Sequence, residues 1–170
     1  GDTSPYVGLA DITMIPSVVD VAGVNRISET IYTAAAGAIC GMLEMDYSAT
    51  GTSRPIIAAS MFGQTTPCVT RCRDALVAEG YEVLVFHGSG TGGRTMERMV
   101  EQGYVAGVLD ITTTEWADEL CGGTFSAGPD RLAAPGRTGI AHLIVPGCVD
   151  MVNFGPPETV PERYVGRILY

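Results

Sequence analysis

The residues most able to do chemistry lie between His87 and Thr95, HGSGTGGRT. Gly88, Gly90, Gly92 and Gly93 remove nearly all side-chain bulk, while Ser89, Thr91 and Arg94 supply two hydroxyls and a cation. Gly88, Gly90 and Gly93 fit the spacing G-x-G-x-x-G. A glycine-rich turn that opens a helix exposes backbone N–H groups at the positive end of the helix dipole. That chemistry suits an anion, either a phosphate or a carboxylate. A tight structural turn is the competing reading of the same residues. No dinucleotide-type acid stands about 20 residues further on, and Asp110 is the nearest.

Three other stretches carry candidate groups. In FGQTTPC, Thr66 is expected to cap a helix whose first residue is Pro67, with Thr65 beside it. Cys68 then falls in the first helical turn, where the dipole favours a thiolate nucleophile. A small buried hydrophobe is the commoner fate of such a cysteine. In DITTTEW, Asp110 could hold a ribose hydroxyl or orient a water, and Thr112, Thr113 and Thr114 add hydroxyls; helix capping is the alternative. In PGCVDMVNFG, Asp150 and Asn153 are polar residues in an apolar loop. The Gly- and Pro-rich segment 121–139 carries Arg131 and Arg137 and is long enough for a lid with a mobile arginine clamp, or for an ordinary surface loop.

Ser89 follows a strand and precedes a helix, as a hydrolase nucleophile does. The nucleophile elbow needs a glycine two residues earlier, and His87 stands there. His142 falls inside a strand and is expected to point into the scaffold. Cys68 and Cys72 are one helical turn apart, but two His in the whole chain make a four-ligand zinc site improbable, and no metal is expected.

The composition narrows the classes. The chain has 170 residues, 46% hydrophobic and 17% charged, enough for one folded domain with a sizeable core. Its net charge of −9 argues against a nucleic-acid backbone as partner, though not against a single nucleotide. All ten basic residues are Arg. Without Lys there is no Walker A lysine and no Schiff base. Five Cys without repeated spacing suggest a reducing, cytoplasmic setting rather than a disulfide framework. No apolar run approaches the ~20 residues of a membrane span. The chain opens at Gly1 within polar sequence, as a processed product or a piece of a longer chain would.

The elements that must position these groups follow from periodicity. Residues 1–24 read as irregular, with a short strand near 12–15. Asn25 to Met45 is a helix, capped by Asn25 or Ser28, with Gly37 and Gly41 on one thin face. From residue 56 the pattern alternates: strands at 56–61, 82–86, 105–111 and 140–145, helices at 67–79, 94–102 and 114–120. Such alternation predicts an α/β fold, a Rossmann-like three-layer sandwich with a mostly parallel sheet. Ligands bind such sheets at the C-terminal strand ends, near the switch point. The expected organisation is an irregular segment and packing helix over 1–55, then a Rossmann-like lobe over 56–170.

At these residues the chain resembles the tomato mosaic virus resistance protein family. The carriers are DITMIPSVVDVAGVNRIS (11–28), MFGQTTPCV (61–69), FHGSGTGGRTME (86–97), LDITTTE (109–115) and PGCVDMVNFG (146–155), in family order over most of the chain. The resemblance implies the C-terminal of two Rossmann-like lobes in a protein described as ATP-binding, without an established reaction. ATP or another nucleotide, with or without Mg, is the implied ligand. Nucleotide binding is associated mainly with an N-terminal lobe that the chain is expected to lack, so the glycine loop would complete a cleft or serve another ligand. The surface left by the missing lobe is expected to be covered by self-association as a homo-oligomer or by the lost segment. Three functions therefore stand side by side. The first is a small-molecule-binding lobe for a nucleotide or other phosphate-bearing ligand. The second is an enzyme acting on a small carbonyl or acyl compound through Cys68 or Ser89, with the glycine-loop amides as oxyanion hole. The third is an oligomerisation module.

Overall fold

The computed structural model describes residues 4–20, 22–46 and 53–167. The chain divides into two compact units, Gly1–Thr52 and Ser53–Tyr170.

In the first unit a four-residue turn of helix, α1 (Ser4–Val7), precedes extended chain, and residues 12–15 form no strand. The long helix α2 spans Arg26–Glu44. Asn25 and Ser28 share its cap: the Asn25 side chain accepts from the amides of Ile27 and Ser28, and Ser28 Oγ accepts from the Asn25 amide at 2.8 Å. This reciprocal pair satisfies donors that a helix start leaves orphaned. Ser28 is the one buried residue of the helix.

The second unit is a four-stranded, all-parallel sheet with helices on both faces, as the alternating pattern predicts. Its strands are β1 (Ile56–Met61), β2 (Glu82–His87), β3 (Gly107–Thr112) and β4 (Ala141–Gly147), in the order β2-β1-β3-β4. The chain steps from β1 outward to β2, then returns across β1 to β3. That reversal puts the switch point between β1 and β3, with Phe62 and Thr113 following their C-terminal ends.

Helix α3 (Thr66–Ala78) links β1 to β2, and α4 (Thr91–Glu101) links β2 to β3. The link from β3 to β4 holds α5 (Thr114–Cys121) and the short α6 (Ala134–Thr138), the latter within the stretch read as a lid. Because neighbouring parallel strands share a facing, each sheet face has its own core. Met96, Val100 and Ala134 from α4 and α6 meet Ala58 and Val108 on one face; Val69 and Cys72 of α3 meet Ala59 and Ile111 on the other. Strand ends shift by one or two residues, and two helix starts differ from expectation. Thr65, not Thr66, precedes α3, and its hydroxyl accepts from the Phe62 amide to close a 3₁₀ turn over Gly63–Thr65. Helix α4 starts at Thr91 and so takes two glycines into its first turn, for a reason found in the site.

Candidate functional site

The C-terminal edge of the sheet gathers several of the expected residues. Thr65 and Thr112 share a hydrogen bond, Oγ1 to Oγ1, at 2.6 Å. A Cβ on Gly88 would lie 3.4 Å from Thr112 Cγ2. Phe62 stacks at 5.1 Å on the His87 ring and at 5.8 Å on Phe125, bringing the ends of β1 and β2 under the segment that follows α5.

Inside this edge the glycine loop is already satisfied by an anion of the chain itself. Glu115, in the first turn of α5 and fully buried, accepts from the amides of Gly90 at 2.7 Å and Gly93 at 3.0 Å through Oε1. The N-terminus of α4 thus receives the negative charge its dipole favours from within the fold. The glycines make room for it. A Cβ on Gly93 would fall 2.2 Å from Glu115 Oε2, and Gly90, at φ +82°, passes so close to the next segment that a Cβ would lie 2.7 Å from the Ser126 carbonyl oxygen. The run of glycines that reads as an external phosphate cradle is therefore, at two of its amides, a cradle for Glu115.

Glu115 is one member of a buried ionic cluster. Its Oε2 accepts from Arg131 Nε at 2.7 Å. Arg131 also grips Asp110 with both terminal nitrogens, Nη1 reaching Oδ2 at 3.0 Å and Nη2 reaching Oδ1, and Nη1 donates to Glu97 Oε1 at 3.0 Å. Glu97 accepts from the amides of Leu132 and Ala134, each at 2.8 Å. His142 Nε2 lies 2.9 Å from Asp110 Oδ2. Burial alone would lower the pKa of the Arg131 guanidinium; the bonds to Asp110, then to Glu115, overcome that and raise it. Arg131 is therefore no mobile clamp. It is 2% exposed, and it ties the 122–133 segment to β3, α4 and α5. Asp110, wholly buried, spends its carboxylate on Arg131 and His142, and its facing is inward. His142 points into the scaffold, as its place in a strand suggests.

The remaining expected residues divide by exposure. Thr112 is buried and exchanges three hydrogen bonds with Ser60; Thr113 is buried, its hydroxyl donating weakly to the Val145 carbonyl at 3.4 Å. Asn153 is pinned by buried Asp118, which accepts its amide at 2.9 Å. Asp150 is exposed and lines a cavity of about 650 Å³ with Phe154, Tyr164 and Arg167, to which no glycine-loop residue contributes. Thr66, Thr91 and Arg94 are exposed, and Ser89 and Gly92 half-buried. Arg94 Nη2 reaches Thr91 Oγ1 at 3.5 Å, so this pair marks the outer rim of the loop.

Among the described residues no hydrogen bond joins the Ser89 hydroxyl or the Cys68 thiol to a histidine or carboxylate. Burial, aided by Cys68, pushes the Cys72 thiol up. Cys148 was not singled out by sequence, although the strand-ending PGC marks its position. It sits at the tip of β4 with a left-handed backbone, φ +58°. Burial and then Asp150 raise its pKa, against a lowering contact from the Thr65 backbone. Among the described residues no group of three or more His, Cys, Asp or Glu is arranged to hold a metal ion, and no helix is long and apolar enough to cross a membrane.

Comparison with known proteins agrees with the resemblance read from the motifs. Residues 54–170 match the C-terminal domain of an uncharacterised protein family, UPF0261, and residues 1–48 match the N-terminal domain of the same family. The chain thus carries sequence from both domains. It is 52% identical, over its whole length, to a UPF0261 protein of Clostridium tetani and 50% identical to one of Mesorhizobium japonicum, covering 42% of each. It is 41% identical to the ToMV resistance protein Tm-1 of Solanum lycopersicum, again over its whole length and over 23% of that protein. The chain therefore spans less than half the length of these relatives, and with its C-terminal domain matched from residue 54 to the end it belongs to the UPF0261 family.

Proposed function

We propose that the second unit is a small-molecule-binding lobe that takes a phosphate-bearing ligand, a nucleotide in the first instance, at the C-terminal edge of its sheet. The observation that carries this reading is the strand–glycine turn–helix unit of β2 and α4, which the bonds from Gly90 and Gly93 to Glu115 hold beside the switch point. Preorganisation of this kind lowers the ordering cost of binding. Because Glu115 fills the amides of Gly90 and Gly93, the ligand's anion belongs on the outer rim, with Ser89, Thr91, Gly92 and Arg94. Thr66 is the exposed hydroxyl nearest in sequence to the β1 end, on the side where a sugar would lie. Asp110, Thr112 and Thr113 support the edge from below.

A thermal-shift series tests this, with ATP, ADP, AMP, dinucleotides, sugar phosphates and inorganic phosphate, each with and without magnesium. A ligand bound only by the folded state raises the melting temperature by mass action. The expected outcome is a rise with at least one nucleotide, with affinity falling about tenfold or more, roughly 1.4 kcal/mol, in a Thr91→Val/Arg94→Gln double variant. These positions are chosen over Gly92, where a Cβ would strike the His87 carbonyl oxygen at 1.9 Å and wreck the turn whatever it binds. Equal shifts for the variant and the parent chain would remove the rim from the reading; no shift with any compound would remove the nucleotide.

A further inference from the structure

Among the described residues of the second unit the sheet ends on β4, a strand with a partner on one side only. In the described residues β4 pairs with β3 alone, so one of its edges offers unpaired N–H and C=O groups. Its residues are apolar toward both faces, and three in a row are open: Leu143 is 58% exposed, Ile144 51% and Val145 38%. Parallel sheets are covered on both faces, and native edge strands are guarded by charge, by proline within the strand or by shortness. Apart from Pro146 near its end, β4 has no such guard: it carries no Asp, Glu, Lys or Arg, and His142 faces inward to Asp110. Beside it, on the face of α3, lies an apolar groove of about 470 Å³. Cys72 and Leu76 form its wall, and Ile57, Leu109 and Leu143 its floor. Helix α3 packs on β1 and β2 and reaches Ile111 of β3, and only the β4 strand beyond it is open. A strand adds about 4.8 Å to a sheet and a helix about 10 Å across it, so the bare edge and the groove fit one further strand and one further helix.

We propose that the β4 edge and the groove beside α3 form one intramolecular interface, occupied in the full-length protein by a strand and a helix from outside these 170 residues. Two findings select this occupant. Relatives 50–52% identical are matched over only 42% of their length, so most of the family's polypeptide lies outside the chain described. The surface is moreover almost purely apolar and shaped for secondary structure, as a severed core is, whereas a surface for a transient partner carries a polar rim. The proposal is independent of the ligand reading above.

Native cysteines report on it. Cys72 lines the groove; Cys68, one turn earlier on α3, is exposed and outside it. In the full-length family member carrying this sequence, alkylation by iodoacetamide is followed at both sites by mass spectrometry, with hydrogen exchange of residues 141–147 measured alongside. Cys72 is expected to react at least 100-fold more slowly than Cys68, with the amides of β4 protected on both edges and neither effect changing on dilution. Cys72 reacting within tenfold of Cys68, with alternate β4 amides exchanging freely, would overturn the proposal. Protection that disappears on dilution would overturn it too, by assigning the surface to a second copy of the protein.

Discussion

Two regions of the same sheet differ in how far they satisfy themselves. At the C-terminal end, beneath the glycine loop, a buried guanidinium meets three carboxylates, and two of these also take two loop amides and a histidine, all from the second unit. At the β4 edge, three consecutive apolar side chains stand in solvent and a row of backbone groups has no partner among the described residues. Both regions are dense in residue types that do not tolerate being left alone. Among the described residues the first finds its partners and the second does not. A loop whose amides and carboxylates satisfy one another keeps its shape from within, whereas an apolar edge left open offers a surface for more protein. Substitutions of each region should therefore differ by an order of magnitude in the isolated chain.

The largest effect belongs to Arg131. Replacing it by Met keeps most of the volume but strands Asp110, Glu115 and Glu97 without their shared cation. Breaking a buried ion pair from one side costs about 3–5 kcal/mol. Here the carboxylates outnumber the cations three to two even with His142 protonated, so the upper part of that range is expected. Urea unfolding of Arg131→Met should show the loss; a cost below about 1 kcal/mol would mean that the cluster is solvated and does not tie the 122–133 segment to the sheet.

Glu115→Gln should come second. The carboxamide oxygen can still accept from Gly90 and Gly93, but its NH₂ then faces the Arg131 Nε–H, donor against donor. A buried donor left without its acceptor costs about 1–3 kcal/mol. The double variant with Arg131→Met should cost clearly less than the sum of the two single changes, because residues sharing a network couple by about 0.5–3 kcal/mol. Additive costs would separate the glycine loop from the arginine and leave Glu115 as a cap alone.

The strands, their parallel sense and the cap of α2 were legible because each rests on a local rule. The apolar run Val83–Phe86 marks β2, although as an edge strand it is only half-buried, with Val85 38% exposed, and Asn25 with Ser28 carries its own hydrogen bonds. The site was legible as a place, since a glycine turn between strand and helix falls at a sheet's C-terminal edge. Its chemistry was not. Glycines that fit a phosphate fit a buried carboxylate equally well, and only tertiary contact shows Glu115 arriving from 22 and 25 residues away. Arg131, in a Gly- and Pro-rich stretch, reads as a surface cation. Nothing local says that it is 2% exposed, with Asp110 and Glu115 waiting at the end of β3 and the start of α5. Sequence could have hinted at it through acids in an otherwise apolar setting, Asp110 after Val108-Leu109 and Glu115 before Trp116, each of which would need a buried partner.

The smallest effect is expected at the bare edge, and it is the one that tests the contrast. Ile144→Thr replaces an apolar side chain that is 51% exposed with a β-branched residue of good strand propensity. In the 170-residue chain the side chain loses little burial, and a surface substitution of this kind should stay within about 0.5 kcal/mol. In the full-length protein the same change would put a hydroxyl into a covered apolar interface, where lost burial and an unsatisfied polar group together cost about 1–3 kcal/mol. The informative quantity is the difference between the two hosts, read from the shift in urea midpoint at unchanged slope. Equal small costs in both would show that the edge stays open in the complete protein, and a large cost already in the short chain would show that β4 is better packed than its exposure implies. A cost that appears only in the longer chain would mark β4 as an inner strand of a wider sheet, with the glycine loop toward the far side of that sheet and finished before the rest of the protein arrives.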